Sequence, residues 1–324
     1  MVLLLFALLL AIPARAAADY KDVPKNHWAY ESIERTAELG LIGGVGGGAF
    51  GLGREITRAE YAAMLCRLMG WQMITPELGS FTDNLDMSAW YYSAVETAYA
   101  NGALHRLGSK AGVLETMTRE ELASMTVRAL GYASLSGVVQ DDCPFPDVST
   151  NRGYITLAYQ MGFMSGNGKG VFQPAVIADR EQAATVLLRV YDAMHADVRE
   201  ESAAAAPRGA VIVEPLDDRD GSIPMCPRAP LENVHDAALK AGRGGTVALQ
   251  TAAYNTADNR TVKPAELDSL LAAAGARVHR STRYESSYLS TRGGSIVWFE
   301  SAEDIAEKVM LCRLMGISTV CLIR

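Results

Sequence analysis

The feature that most constrains this chain is an internal repeat of 61 residues. Arg58, Arg119 and Arg180 recur at that interval, within Thr57-Arg58-Ala59-Glu60, Thr118-Arg119-Glu120-Glu121 and Asp179-Arg180-Glu181-Gln182. Three segments align around them. The first carries Asp22-Val23-Pro24, Trp28, Gly40-Leu41-Ile42 and Phe50, and the second carries Phe81-Thr82-Asp83, Trp90 and Gly102-Ala103-Leu104. The third carries Phe145-Pro146-Asp147-Val148, Gly162-Phe163-Met164 and Phe172. Trp to Gly is 12 residues in the first two repeats, and Gly40 to Arg58 and Gly162 to Arg180 are each 18. Registered copies at such a period describe units that bury their apolar faces against one another.

Each unit reads as helix, glycine-ended turn, loop, helix. Ala29, Ile33 and Ala37 fall on one helical face, and Gly40 sits where a left-handed C-cap is wanted. The second helix carries Tyr61, Met64, Leu65 and Leu68, with counterparts Leu122, Met125, Ala129 and Val186, Leu187, Val190. The glycine-rich loops lack the GK[ST] ending of a phosphate loop, so nucleotide binding is not expected.

The start of the second helix carries the chemistry. Thr57 with Glu60 and Thr118 with Glu121 form capping boxes, and Asp179 with Gln182 is the same device. The arginine after each cap opposes the helix dipole at about 0.3–1 kcal/mol. Three occurrences of an unfavourable residue ask for another purpose. Beside free backbone N–H groups, each arginine would make a small anion site; the alternative is a salt bridge to Asp22, Asp83 or Asp147. Trp28 and Trp90 read either as helix core or as platforms on which sugar rings stack.

The pattern F-x-D-V, W, G, F, T-R-x-E, three times over residues 19–195, resembles S-layer homology (SLH) domains. The resemblance implies an all-α, pseudo-three-fold module whose grooves bind anionic, possibly pyruvylated, secondary cell-wall polysaccharide associated with peptidoglycan. By it, Asp22, Trp28, Gly43, Gly44 and Arg58 would bind polysaccharide in repeat one, Asp83, Trp90 and Arg119 in repeat two, and Asp147, Gly166 and Arg180 in repeat three. Repeat three is shorter, with Thr150 at the tryptophan position, and His105 replaces a turn glycine in repeat two.

Other features fit export. Val2 to Ile12 is an apolar run followed by Ala14-Arg15-Ala16-Ala17-Ala18. It is shorter than the roughly 20 residues of a membrane-spanning helix and reads as a signal peptide over 1–18, although no Lys or Arg precedes it. No other segment is apolar and long enough to span a bilayer. The composition, 49% apolar and 21% charged with net charge −7, is that of a folded protein and argues against a nucleic-acid partner. Five cysteines without a CxxC pair or zinc spacing give no metal site. Cys66 reads as a buried thiol, and a Cys312–Cys321 disulfide is not expected.

Of the 24 aromatic residues, 18 lie within 19–195, so the rest is a module of another kind. The division is SLH repeats at 19–76, 77–140 and 141–195, a linker at 196–209, and a small α/β domain at 210–324. Strands are expected at Ala210–Val213, Thr246–Gln250, Ile296–Phe299 and Thr319–Ile323. Helices are expected at Leu231–Ala241, Pro264–Ala274 and Ala302–Met315. The stretch Val297-Trp298-Phe299-Glu300-Ser301-Ala302-Glu303 through Gly316-Ile317 resembles the last helix-and-strand unit of family 18 glycoside hydrolase barrels, implying a partial barrel. That family's D-x-x-D-x-D-x-E signature is absent, so no catalytic residue is assigned. Asp217-Asp218-Arg219-Asp220-Gly221 reads as a polar turn, the pairs Glu300/Asp304 and Glu303/Glu307 as a solvated helix face, and His235 and His279 as surface residues.

The sequence thus describes a secreted cell-wall protein, held non-covalently by its repeats, with no cofactor and no enzymatic role expected. The alternatives are a wall-anchored, degenerate glycoside hydrolase and a structural S-layer subunit.

Overall fold

The computed structural model describes residues 20–215, 229–258, 260–273, 276–281, 284–291 and 294–324. The apolar leader, the Asp217–Gly221 turn and Cys226 lie outside them. The chain divides into two units, Met1–Tyr191 and Asp192–Arg324.

The first unit is helical: α1 (Tyr30–Glu38), α2 (Arg58–Met69), α3 (Tyr92–Ala100), α4 (Arg119–Ala129), α5 (Ala133–Val138), α6 (Arg152–Gln160) and the start of α7 (Arg180–Met194). Helices α1, α3 and α6 end alike. Gly40, Gly102 and Gly162 follow at φ 70°, 76° and 81°. Their N–H groups donate to Ala37, Tyr99 and Tyr159, and the next residue's N–H reaches back to Thr36, Ala98 and Ala158. This is the Schellman motif in three copies; a side chain at these φ values is strained. Ala29, Ile33 and Ala37 are buried as the periodicity predicts, and so are Tyr61, Met64, Leu65 and Leu68 of α2. Cys66 is a buried free thiol, and burial pushes its pKa up to about 11.

The segments entering α2, α4 and α7 meet one another. Ile56 N–H donates to Ala178 O at 3.1 Å, Ala178 N–H to Met117 O at 2.9 Å, and Met117 N–H to Ile56 O at 3.0 Å. Three backbone bonds therefore close a ring in which each repeat gives once and accepts once. Ile56, Met117 and Ala178 are each fully buried, so these bonds satisfy groups that water cannot reach.

The second unit holds two sheets. One is parallel, in the order β1 (Arg199–Ala203), β9 (Thr319–Ile323), β3 (Thr246–Gln250), β2 (Val211–Ile212). The central strands, TVALQ and TVCLI, are near-continuous apolar runs, as suits strands covered on both faces. The other sheet is antiparallel, in the order β5 (Arg260–Val262), β4 (Ala253–Asn255), β8 (Ile296–Phe299), β7 (Ser286–Ser290), β6 (Arg277–Ser281). One face packs Leu289, Val297 and Phe299 against Leu267 and Leu270 of α9 (Pro264–Ala272). The other carries Trp298 with Tyr284 and Tyr288. Helices α8 (Leu231–Ala241) and α10 (Ala302–Leu314) pack against each other.

Several expectations are corrected. The 196–209 linker contains β1, which pairs in parallel with β9 over five residues. Its run Arg-Glu-Glu-Ser-Ala looks polar because it is an exposed edge strand, where charge is protective. Ile296–Phe299 is a strand, but of the antiparallel sheet. The parallel sheet contains four strands among the described residues and is open, with β1 and β2 at its edges. His235 is not at the surface but fully buried. The helix carboxylates are not all solvated either. Asp304 is fully buried and accepts from Arg280, Ser287 and Ser301, while Glu300 pairs with buried Lys308 at 2.8 Å.

Glu285 links the two halves of this unit. Its carboxylate accepts the Leu231 N–H at the start of α8 at 3.1 Å. Burial raises its pKa to about 7, opposed by that bond and by Lys308 and Arg280, with Glu307 adding to the rise. A carboxyl raised in the folded state costs stability as pH climbs from about 4.5 to 7. Glu285→Gln is expected to flatten the melting temperature of this unit across that window, measured by thermal denaturation between pH 4.5 and 8.

Candidate functional site

The aspartates of the repeats are loop staples. Asp22 accepts the N–H groups of Phe50, Gly51 and Leu52 at 2.7–3.1 Å. Asp83 accepts those of Ala111, Gly112 and Val113 at 2.8–3.3 Å. Asp147 accepts those of Phe172 and Gln173 at 2.9 and 2.7 Å. Partial burial raises each carboxyl, but the backbone donors outweigh it and hold all three below their ordinary value. Among the described residues no hydrogen bond joins them to the arginines, so the alternative of a salt bridge to these aspartates is not found.

Each arginine instead braces the neighbouring repeat. Arg58 donates Nε to Ala111 O at 2.7 Å, Nη2 to His105 O at 3.3 Å, and Nη1 to Glu121. Arg180 donates Nε to Phe50 O at 3.1 Å, Nη2 to Gly43 O at 2.7 Å, and Nη1 to Glu60 at 3.2 Å. Arg119 donates Nε to Phe172 O at 3.0 Å and Nη2 to Ser165 O at 2.9 Å. The direction is constant: repeat one reaches into two, two into three, three into one. Arg58 and Arg180 are buried, at 1% and 3% exposure. The cost of placing a cation at a helix N-terminus is offset by these carbonyl and carboxylate bonds.

The helix-start N–H groups are also engaged. Arg58 and Ala59 N–H donate to Glu115 and Val113, Arg119 and Glu120 to Val176 and Pro174, and Arg180 to Arg54. Thr57 and Thr118 complete both capping boxes with Glu60 and Glu121, and Asp179 accepts Gln182 N–H at 2.8 Å. These N–H groups are therefore taken by protein carbonyls; what remains open are grooves beside the Arg119 and Arg180 braces.

Two grooves are well formed, and each draws on all three repeats. One, of about 910 Å³, is bordered by Trp90 of repeat two, by Gly43, Gly44, Glu60 and Arg67 of repeat one, and by Arg180 of repeat three. The other, of about 520 Å³, is bordered by Trp28 of repeat one, Arg119 of repeat two, and Ser165, Gln182 and Arg189 of repeat three. Trp28 and Trp90 are 62% and 63% exposed and precede their helices, which excludes the core reading. At the third junction Thr150 holds the equivalent place and hydrogen-bonds Glu120 at 2.9 Å. Gly44 lies against the Ala49 carbonyl, where a Cβ would come to 2.6 Å, and Gly166 is hemmed by Phe145 and Val171. Arg54, Arg67, Arg189 and the groove-facing role of Glu60 and Gln182 are not legible from one repeat at a time.

Two outcomes test this construction. Asp83→Ala is expected to cost about 1–3 kcal/mol by leaving loop N–H groups unpaired, read from urea unfolding. Because the staple carboxyls are depressed, their contribution is in place above about pH 4 and lost as pH falls below it. Arg180→Ala, which strips Glu60 and two carbonyls of a buried cation, is expected to cost about 3 kcal/mol or more.

The S-layer homology domain model matches residues 19–62 and 144–184. The chain is 34% identical over 138 residues to a surface layer protein of Brevibacillus choshinensis, covering 41% of this chain and 12% of that protein. It is 35% identical over 126 residues to a cell surface protein of Thermoanaerobacter kivui, covering 37% and 16%. It is 28% identical over 175 residues to an amylopullulanase of Thermoanaerobacterium thermosulfurigenes, covering 52% and 9%. The chain thus spans less than a fifth of the length of these relatives. The middle repeat is outside the matched residues, yet it makes the same staple, Schellman turn, capping box and brace as its neighbours. The chain therefore carries two S-layer homology units, at 19–62 and 144–184, within its first and third repeats.

Proposed function

We propose that the first unit anchors the protein non-covalently to the bacterial cell wall, by binding secondary wall polysaccharide in the grooves beside its arginine braces. SLH domains point to anchoring at the cell surface, and the likenesses to surface-layer and cell-surface proteins agree with that location. The observation that carries the polysaccharide reading is an exposed tryptophan and guanidinium groups bordering the same groove, twice. Two grooves on one rigid unit add avidity along a repeating polymer. The second unit is read as a passenger without catalysis. No helix among the described residues is long and apolar enough to cross a membrane.

The test uses the tryptophans, because they are exposed and outside the core. Trp28→Ala/Trp90→Ala is expected to keep the wild-type melting temperature and to lose most co-sedimentation with purified cell walls. Undiminished sedimentation of the folded double variant would overturn the reading. An arginine triple variant is a poorer test, since Arg58 and Arg180 hold the module together.

A further inference from the structure

The three braces end on different residues. Nη2 of Arg180, Arg119 and Arg58 donates to the carbonyls of Gly43, Ser165 and His105. Gly43 and Ser165 carry nothing that titrates near neutral pH, whereas His105 carries an imidazole. Its Nδ1 is buried and has no hydrogen-bond partner among the described residues. In the neutral ring Nδ1 can stand as a lone acceptor. In the imidazolium both nitrogens bear a proton, so Nδ1 becomes a buried donor with nothing to receive it. The charged groups that face the ring add to this cost. They are Arg58 from α2 and Arg128 and Glu121 from α4. Arg58 is itself buried, and Arg128 lies over the Tyr154 ring at 4.6 Å with its Nε buried and unpartnered. Glu121, the one anion of the three, already accepts from Arg58 and from the Thr118 N–H. Burial first, then Arg58 and Arg128, hold the imidazole below its ordinary pKa, against Glu121.

We propose that His105 is an acid-sensitive latch on the junction between repeats one and two: the neutral ring lets the Arg58 brace close, and the protonated ring loosens it. The equivalent places at the other two junctions, Gly43 and Ser165, hold no such group. A histidine held low in the folded state takes up its proton more readily once the junction opens. Its contribution is therefore complete above about pH 6.5 and is lost as pH falls below that value. The aspartate staples fail only at lower pH, and Glu285 lies in the other unit. The Trp90 groove spans the latched junction, with Trp90 on repeat two and Gly43, Gly44 and Arg67 on repeat one. The Trp28 groove is walled mainly by repeat three. Acid thus disables one groove of two and weakens attachment. That consequence rests on the wall-anchoring reading above; the latch itself does not.

Hydrogen exchange of the full chain, corrected for the intrinsic pH dependence of amides, reads the three junctions separately. Arg58 and Ala59 N–H donate into repeat two, Arg119 and Glu120 into repeat three, and Arg180 into repeat one. Between about pH 7.5 and about pH 5, wild type is expected to lose protection several-fold at Arg58 and Ala59 and to keep it at the other three. His105→Ser installs the residue that repeat three uses at this place. The brace takes only the main-chain carbonyl, so this variant is expected to fold and to show no selective loss; His105→Asn serves in its place if it does not fold. Equal loss at all three junctions, no loss in wild type, or a selective loss that persists in the folded variant overturns the latch. Co-sedimentation with purified cell walls at the same two pH values reads the consequence, since titration of the wall itself is common to both proteins. Wild type is expected to bind several-fold more weakly in acid, and His105→Ser to lose less. An equal acid response of the two proteins overturns the link to attachment, and failure of wild type to sediment at either pH overturns the anchoring reading itself.

Discussion

Everything in the helical unit depends on three backbone hydrogen bonds that tie Ile56, Met117 and Ala178 into a ring. The ring lies where each chain segment turns into its second helix, so it fixes the three helix starts relative to one another. From those starts the arginines reach sideways, each into the loop of the next repeat. A loop stapled to an aspartate presents its carbonyls in one geometry, and the brace has a fixed target. The backbone ring, the staple and the brace form one connected device in three copies. Neutral backbone pairs carry its buried centre, and the charged bonds sit farther out, toward the grooves.

This explains why a residue that disfavours its own helix recurs. The local helix-dipole cost is under about 1 kcal/mol, while a buried guanidinium satisfied by two carbonyls and a carboxylate is costly to remove. The same placement produces the grooves. The Arg180 and Arg119 braces each have a trough beside them, and the exposed tryptophan of another repeat borders it. Each groove is therefore a property of junctions, and no single repeat contains a complete one.

The second unit is built on different physics. Its parallel sheet is held by apolar strands buried on both faces, and its antiparallel sheet by one face covered by α9. Between α10 and the antiparallel sheet lies a layer of charged pairs, Arg280 with Asp304 and Lys308 with Glu300, in which Asp304 and Lys308 are buried. Such a layer specifies how helix and sheet dock more than it stabilises them. It also shows why the carboxylate pairs of α10 look solvated in sequence: their partners come from elsewhere in the chain, and helical spacing carries no information about them.

Sequence by itself determined the repeat, the glycine-ended helices, the capping boxes and the family resemblance, because each is set by local backbone conformation or by a fixed interval. It also placed the helices α8, α9 and α10 and four of the nine strands described in the second unit, where apolar runs are short and well separated. Only the tertiary structure decided what the arginines and aspartates do. An arginine after a cap reads the same whether it binds a ligand or a carbonyl, and the choice depended on which loop lies opposite. The exposure of Trp28 and Trp90, the strand in the charged 199–203 segment and the burial of His235 were decided in the same way. Each depends on a neighbour distant in sequence, and local patterning encodes a residue's own conformation but not the surface it will meet.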